Sequence, residues 1–185
     1  MAVEGPIAHR YQGEPDLTTR AGQAGAHFSL IEENIAVGSH MATIHEGWLT
    51  SSEHRANLLN PGVDRVGIAV VAGQGVYFAV TDFARSVPML TQAEVEASFA
   101  KLLRSRGLMI ANDASDARAY CANGNKDISQ PGMFMRWQNP DVTQLPQPLV
   151  DQLRSGRYRK AAVGSCPPQD VEGSFTIYRV AVALY

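Results

Sequence analysis

Apolar residues recur at helical spacing between Ser39 and Leu49. Their positions, at i, i+3, i+7 and i+8, place them on one face of an α-helix. A shorter helical turn is predicted from Arg55 to Leu59, directly before an Asn-Pro-Gly turn. The pattern therefore predicts a helical segment that buries one face. That face consists of Met41, Ile44, Trp48 and Leu49.

The period then changes to that of β-structure. A run of β-branched and small residues spans 66–71, and a second apolar run spans 76–83. The sequence Ala-Gly-Gln-Gly at 72–75 is typical of a turn, so the two runs predict a β-hairpin. Because both runs are nearly all apolar, we expect two central strands that are covered on both faces.

The second half of the chain begins with a strong helix signal after a linker at 86–88. Thr91 and Glu94 have the spacing of a capping box, and Gly107 marks the end of the helix. Between Glu94 and Gly107 lies an apolar stripe at helical spacing. The stripe consists of Val95, Phe99, Leu102 and Leu103.

Short strands and loops are expected from Leu108 onward, with one helix from Gln147 to Leu153. The chain ends in an apolar run from Phe175 to Tyr185, which predicts a buried strand. We therefore predict an α+β protein with two domains, at residues 1–86 and 90–185.

Composition limits the classes of function. The chain has 185 residues, 45% hydrophobic and 18% charged, with a net charge of −2, which suits a globular protein with a real core. No excess of positive charge points to a nucleic-acid partner. No run of 18 apolar residues predicts a transmembrane segment, and the first ten residues contain no apolar signal sequence.

Four short motifs follow one another in the first half. Residues 33–38 read Glu-Asn-Ile-Ala-Val-Gly, and residues 48–59 read Trp-Leu-Thr-Ser-Ser-Glu-His-Arg-Ala-Asn-Leu-Leu. Val-Gly-Ile-Ala at 66–69 and Tyr-Phe-Ala-Val-Thr-Asp-Phe at 77–83 come next. In order and spacing these pieces resemble the CAP superfamily (SCP-like extracellular domains), in its bacterial type. The resemblance covers about residues 1–86.

The resemblance implies an α-β-α sandwich with a cleft lined by histidine and acidic residues. His9, followed by Gly13 and Arg20, matches the first cleft histidine; Glu33 matches the glutamate and His54 the second histidine. In many relatives the two histidines bind a divalent metal, often zinc, for which neutral imidazole is a common ligand.

This sequence departs from the family pattern at three places. Glu32 stands where the family usually has glycine, and Ser51 stands where eukaryotic relatives have another glutamate, so the fourth cleft residue is not assigned. Only eight residues precede His9, whereas the family has a helix there. We therefore expect a sandwich without its first helix, an exposed apolar patch, and a signal peptide that lies outside this chain.

The two cysteines, Cys121 and Cys166, lie 45 residues apart, and no Cys-x-x-Cys motif is present. Spacing alone leaves a disulfide and two buried thiols open. The resemblance to a largely exported family favours the disulfide, since disulfides persist outside the cytoplasm. Residues 90–185 resemble no family that we recognise.

Two functions are consistent with these residues. The first is an exported, extracytoplasmic binding module whose His9/Glu33/His54 cleft binds zinc or another divalent metal, a small molecule, a lipid or a cell-envelope partner. The alternative is a metal-dependent hydrolase in which His9 and His54 hold the metal and Glu33 is the catalytic base. The unassigned fourth acid and the absence of a nucleophile motif favour the binding module.

Overall fold

Two separate β-sheets organise the chain in the computed structural model, which describes residues 6–124, 132–167 and 175–185. The described residues divide into two units. The first runs to Val87 and also takes in Phe175 and Thr176; the second comprises the described residues from Pro88 onward apart from those two. The sequence did not predict that two residues near the carboxyl end belong to the first unit.

The first unit is built on a three-stranded antiparallel sheet with the strand order β1-β3-β2. The predicted hairpin forms β2 and β3, and the predicted helix and helical turn form α2 and α3, so these predictions are confirmed. The elements are α1 (Leu17–Gln23), β1 (Phe28–Gly38), α2 (Met41–Thr50), α3 (Ser52–Leu58), β2 (Arg65–Gly73) and β3 (Val76–Ser86).

Helices lie on both faces of this sheet. Successive side chains of a strand point to opposite faces. Ile44 and Trp48 of α2 pack with Ala36 and Ala79 on one face, together with Leu58 of α3. On the other face, α1 is joined to β1 through an ion pair between Arg20 and Glu33. The α-β-α sandwich implied by the resemblance is therefore confirmed.

The prediction that both hairpin strands are covered on both faces is wrong for β2. β3 is the central strand, but β2 is an edge strand whose residues are almost all exposed. Ile68 is 69% exposed and Val66 is 59% exposed. The cause is the position of α2 and α3, whose buried apolar residues contact β1 and β3. A run of apolar residues reports strand propensity, but it does not specify what covers the strand.

Two elements of the first unit were missed in a stretch that looks polar. α1 begins at its cap Asp16, whose side chain accepts from the Thr19 amide. β1 contains Glu32, Glu33 and Asn34, which hide the alternation of a strand. At the start of β1, the Phe28 carbonyl accepts from the Thr176 amide and the Phe28 ring packs edge-on against Phe175.

The second unit has a four-stranded mixed sheet with the order β4-β6-β7-β5. The capping-box helix, the helix at 147 and the final buried strand are confirmed, and β7 is a central strand. A further helix, α5, was missed because its residues lack a strong apolar stripe. The elements are α4 (Gln92–Arg104), β4 (Met109–Ile110), α5 (Ser115–Asn123), β5 (Met133–Asn139), α6 (Gln147–Arg154), β6 (Lys160–Ser165) and β7 (Tyr178–Leu184).

Cys121 and Cys166 form a disulfide in this unit, which confirms that prediction and rules out the two free thiols. The bond joins α5 to the end of β6, next to the buried Ala181 of β7. The main core lies between the sheet, α4 and α6, and includes Phe99, Leu103 and Leu149. Within the three described stretches, no helix has the length and apolar character needed to cross a bilayer.

Candidate functional site

A nearly buried glutamate, Glu33 on β1, has two charged or ionisable side chains as partners. Its Oε1 lies 2.8 Å from His9 Nδ1, and its Oε2 accepts from Arg20 Nη2 at 2.9 Å. The Glu33 side chain is only 7% exposed. A buried carboxylate needs opposite charge and hydrogen bonds around it. Both oxygens of Glu33 have such partners.

Arg20 is fixed by the local structure of α1. Asp16 caps the helix, and the hydrogen bond from the Thr19 amide, with the Thr19 and Thr18 side chains, lowers the pKa of Asp16 to about 2. Arg20 Nη1 also donates to the carbonyls of His9 and Pro15. One guanidinium therefore holds both Glu33 and the segment that carries His9.

The contact with Glu33 determines how His9 presents its ring. A carboxylate only accepts hydrogen bonds, so His9 Nδ1 must be the donor. In a neutral imidazole the other nitrogen, Nε2, then carries a lone pair. The His9 side chain is 60% exposed, so the ring is accessible from solvent. It can accept a hydrogen bond, or donate one when it is protonated.

Asp82 of β3 lies directly opposite Glu33 in the β1–β3 ladder. Its Oδ1 is buried and has no hydrogen-bond partner among the described residues. Burial, followed by the negative charge of Glu33, raises the pKa of Asp82, and the charge of Arg20 opposes this shift. On its other side Asp82 faces Gly67 of β2, where a side chain would meet open space.

His54 is held at the opposite face of the sheet. Asn34 follows Glu33 along β1, so its side chain points the other way. Asn34 is fully buried; its Nδ2 donates to the His54 carbonyl at 2.9 Å, and its Oδ1 accepts from Asn57 Nδ2 at 2.9 Å. The His54 ring bonds through Nδ1 to Ser51 Oγ at 2.9 Å. Asn34 and Asn57 therefore anchor α3 to β1.

The three predicted cleft residues are thus not equally placed. His9 and Glu33 are brought together, whereas His54 lies on a helix that packs on Asn34's face. In the part of the chain that the structure describes, no three His, Cys, Asp or Glu side chains are placed to hold a metal ion. The donor set present does not fit the three-protein-ligand pattern of catalytic zinc sites.

Two members of this site did not emerge from the sequence as site residues. Arg20 lies within the His9 motif, and its charge at a fixed distance from a buried glutamate could have suggested an ion pair. Asp82 lies in an apolar strand, and a lone acid at such a position is itself a signal, because buried acids are rare. Its pairing with Glu33 depends on the register between the two strands, which cannot be read from the sequence.

The family profile of the Cysteine-rich secretory protein family (CAP) matches residues 1–83. A solved structure is similar, a crystal structure of an extracellular protein containing a SCP domain from Bacillus anthracis str. Ames. It shares 30% identity with this chain, over 44% of this chain and 26% of that one, with a TM-score of 0.40. This chain therefore matches about a quarter of that protein's length. Comparison with curated proteins gives no match.

Proposed function

We propose that residues 1–83, which match the CAP family profile, form a CAP domain, and that the protein is an exported binding module rather than a hydrolase. In this proposal the recognition surface of the first unit is centred on His9, with Glu33 and Arg20 beneath it. The second unit, which contains the Cys121–Cys166 disulfide, is exported with it.

One observation carries the preference for binding over hydrolysis. Both oxygens of Glu33 are engaged, one by His9 and the other by Arg20. A general base must come within hydrogen-bond reach of the water that it activates, and the Glu33 side chain is only 7% exposed. Glu33 instead orients the His9 ring, because the hydrogen bond at Nδ1 fixes which ring nitrogen carries the proton. The exposed ring edge is then the contact point for a partner.

Export is supported by the disulfide and by the family. Cys121 and Cys166 join across 45 residues, and such structural disulfides persist in oxidising compartments. We expect the chain expressed from its natural gene to be recovered outside the cytoplasm, with both thiols blocked to alkylation. Recovery in the cytoplasm with two reactive thiols would contradict export.

Zinc binding at the two histidines stays a prediction, and it separates the two functions. The test is zinc calorimetry, together with turnover of a p-nitrophenyl ester, a peptide and a p-nitrophenyl phosphate. It compares the protein with a His9→Ala, His54→Ala double variant, and the matched control is His40→Ala, His45→Ala. A binding module shows no zinc-dependent turnover. Micromolar zinc binding and hydrolysis that vanish only in the first variant would establish the hydrolase instead.

Binding itself is tested with cell-envelope material. The protein is cosedimented with purified cell-wall polymer and, separately, with phosphatidylglycerol vesicles. We expect saturable binding to one of the two, weakened at least about tenfold by His9→Ala, which corresponds to about 1.4 kcal/mol. The His45→Ala variant serves as the control, because His45 is an exposed residue of α2.

A further inference from the structure

Two arginines of the second unit lie on one face of its sheet. In the β5–β7 ladder Gln138 is opposite Arg179, and Arg136 is opposite Ala181. Directly opposed residues of an antiparallel pair share a face, as do residues two apart on one strand. Arg136 and Arg179 are therefore diagonal neighbours, a relationship in which the residues are roughly 7–8 Å apart. Their guanidinium groups can reach a common ligand.

The disulfide fixes the surroundings of both arginines. The Cys166 amide donates to the Arg179 carbonyl at 2.9 Å, which places Cys166 beside Arg179. Arg179 Nη2 donates to the Pro167 carbonyl at 2.7 Å, and Arg136 Nη1 donates to the Cys121 carbonyl at 3.3 Å. Each guanidinium is thus held by the backbone next to one half of the disulfide.

The end of α5 also contributes to this arrangement. Gly124 caps the helix with φ = +68°, a conformation that side chains rarely adopt. A Cβ at this position would lie 3.4 Å from Arg136 Nη1, which places the guanidinium next to the helix end. The cation also complements the carbonyls at the carboxyl end of a helix.

A cavity of about 420 Å³ opens beside the two guanidinium groups. The ion pairs among the described residues of this unit are Arg118 with Glu96 and Arg154 with Asp151, so neither lining arginine takes part in them. Among the described residues each of the two arginines donates to one carbonyl, and a guanidinium has five N–H donors. The lining residues are Cys121, Arg136, Trp137, Gln138, Cys166 and Arg179.

From this juxtaposition we propose that Arg136 and Arg179 form an oxyanion-binding site, which takes a phosphate or carboxylate group of a ligand. Guanidinium groups bind such oxyanions through paired, charge-assisted hydrogen bonds. Two of them on one sheet face, held by backbone carbonyls, are preorganised, so little side-chain entropy is lost when an anion binds. This site lies wholly in the second unit and does not depend on the function of the CAP domain.

The test follows the Nε–Hε resonances of the arginines by NMR in the full chain. Sodium phosphate or sodium acetate is titrated against sodium chloride at equal ionic strength. The proposal expects saturable shifts of the Arg136 and Arg179 resonances with at least one of the two oxyanions. Phosphate alone would assign a phosphate-bearing ligand, and acetate alone a carboxylate-bearing one.

Variants of the two arginines then test whether these side chains bind the anion. Arg136→Gln and Arg179→Gln should each weaken the binding of the active anion at least tenfold. Arg104→Gln, at the exposed end of α4, should leave it unchanged. Near-UV circular dichroism checks that each variant is folded; the wild-type resonances report the site even where a variant is not. No saturable shift with either anion, or equal binding in all three variants, would overturn the proposal.

Discussion

Glu33 and Asp82 lie directly opposite each other on neighbouring antiparallel strands, so two carboxyl groups share one face of the first unit. Glu33 contacts His9 and Arg20 directly, whereas Asp82 Oδ1 is buried without a hydrogen-bond partner in the described part of the chain. Like charges opposite each other in a ladder are destabilising. The ionised form of Asp82 therefore opposes folding of this unit.

Asp82→Asn should stabilise the protein at neutral pH. Burial first, and then Glu33, raises the pKa of Asp82 above 3.8, its ordinary value. The folded state then binds its proton more readily than the unfolded state does, so the wild type gains stability as the pH falls through the raised pKa. The advantage of the variant should shrink over that range and vanish below 3.8. Chemical denaturation at several pH values measures the difference.

Asp64→Asn is the matched control, and its effect should have the opposite sign. The Ser86 amide bonds to Asp64, and this hydrogen bond lowers the pKa of Asp64. Its contribution to stability is present above 3.8 and is lost as the pH falls through the lowered pKa. The control should therefore be less stable than the wild type at neutral pH. A destabilised Asp82→Asn protein at neutral pH would contradict the account of the carboxyl pair.

Arg20→Gln should destabilise the first unit by about 2 kcal/mol, because it removes the charged partner of a carboxylate that is almost fully buried. A Glu33→Gln change in the same chain should recover part of this loss, since the uncompensated charge is then gone. Urea denaturation of the two single variants and the double variant gives the coupling. Arg55→Gln, at an exposed position of α3, should change little. Strictly additive effects of Arg20→Gln and Glu33→Gln would argue against the ion pair.

Asn57→Ala should cost about 2 kcal/mol. The change leaves Asn34 Oδ1 without its donor, and Asn34 is fully buried between β1 and α3. The same change loosens the helix that carries His54, so amide hydrogen exchange should quicken in α3. Asn112→Ala, an exposed site in the second unit, is the control. Unchanged stability and exchange would show that a different contact holds α3.

The elements that the sequence predicted well are those whose signal is local. The capping box of Thr91 and Glu94, the hairpin turn and the Trp48 helix each depend on residues a few positions apart. β1 and α1 were not predicted because polar residues such as Glu33 and Arg20, which form the site, interrupt the apolar periodicity of these elements. Functional positions are where local patterns are expected to fail.

The candidate site was predicted only in part, for a geometric reason. The motif identified His9 and Glu33, which do contact each other. The order of motifs does not show on which face of the sheet each residue lies. Glu33 and Asn34 are adjacent in sequence but point to opposite faces, and it is Asn34 that donates to the His54 carbonyl. Asp82 became a neighbour of Glu33 only through the register of β1 on β3.

Removing the disulfide should destabilise the second unit strongly. A loop of 45 residues closed by Cys121 and Cys166 contributes about 4 kcal/mol in the chain-entropy model. A Cys121→Ser, Cys166→Ser double variant should therefore melt well below the wild type. The first unit should melt as before, and a fluorescence probe on either unit resolves the two. A loss of less than about 1 kcal/mol would mean that the packing around Ala181 holds α5 without the bond.

The exposed strand β2 should make the protein self-associate at high concentration. Its ladder with β3 runs without a bulge, and residues 66–73 carry no charge or proline, which are the features that protect natural edge strands. Ile68→Lys adds a charge at the most exposed large apolar residue of the strand. It should shift the protein toward monomer and change the free energy of unfolding by less than about 1 kcal/mol.

The control is Ile35→Lys, which places a charge at a buried position and should instead unfold the first unit. Sedimentation velocity over about a hundredfold range of protein concentration distinguishes monomer from self-associated protein. A wild type that stays monomeric throughout would show that β2 is protected despite its exposure.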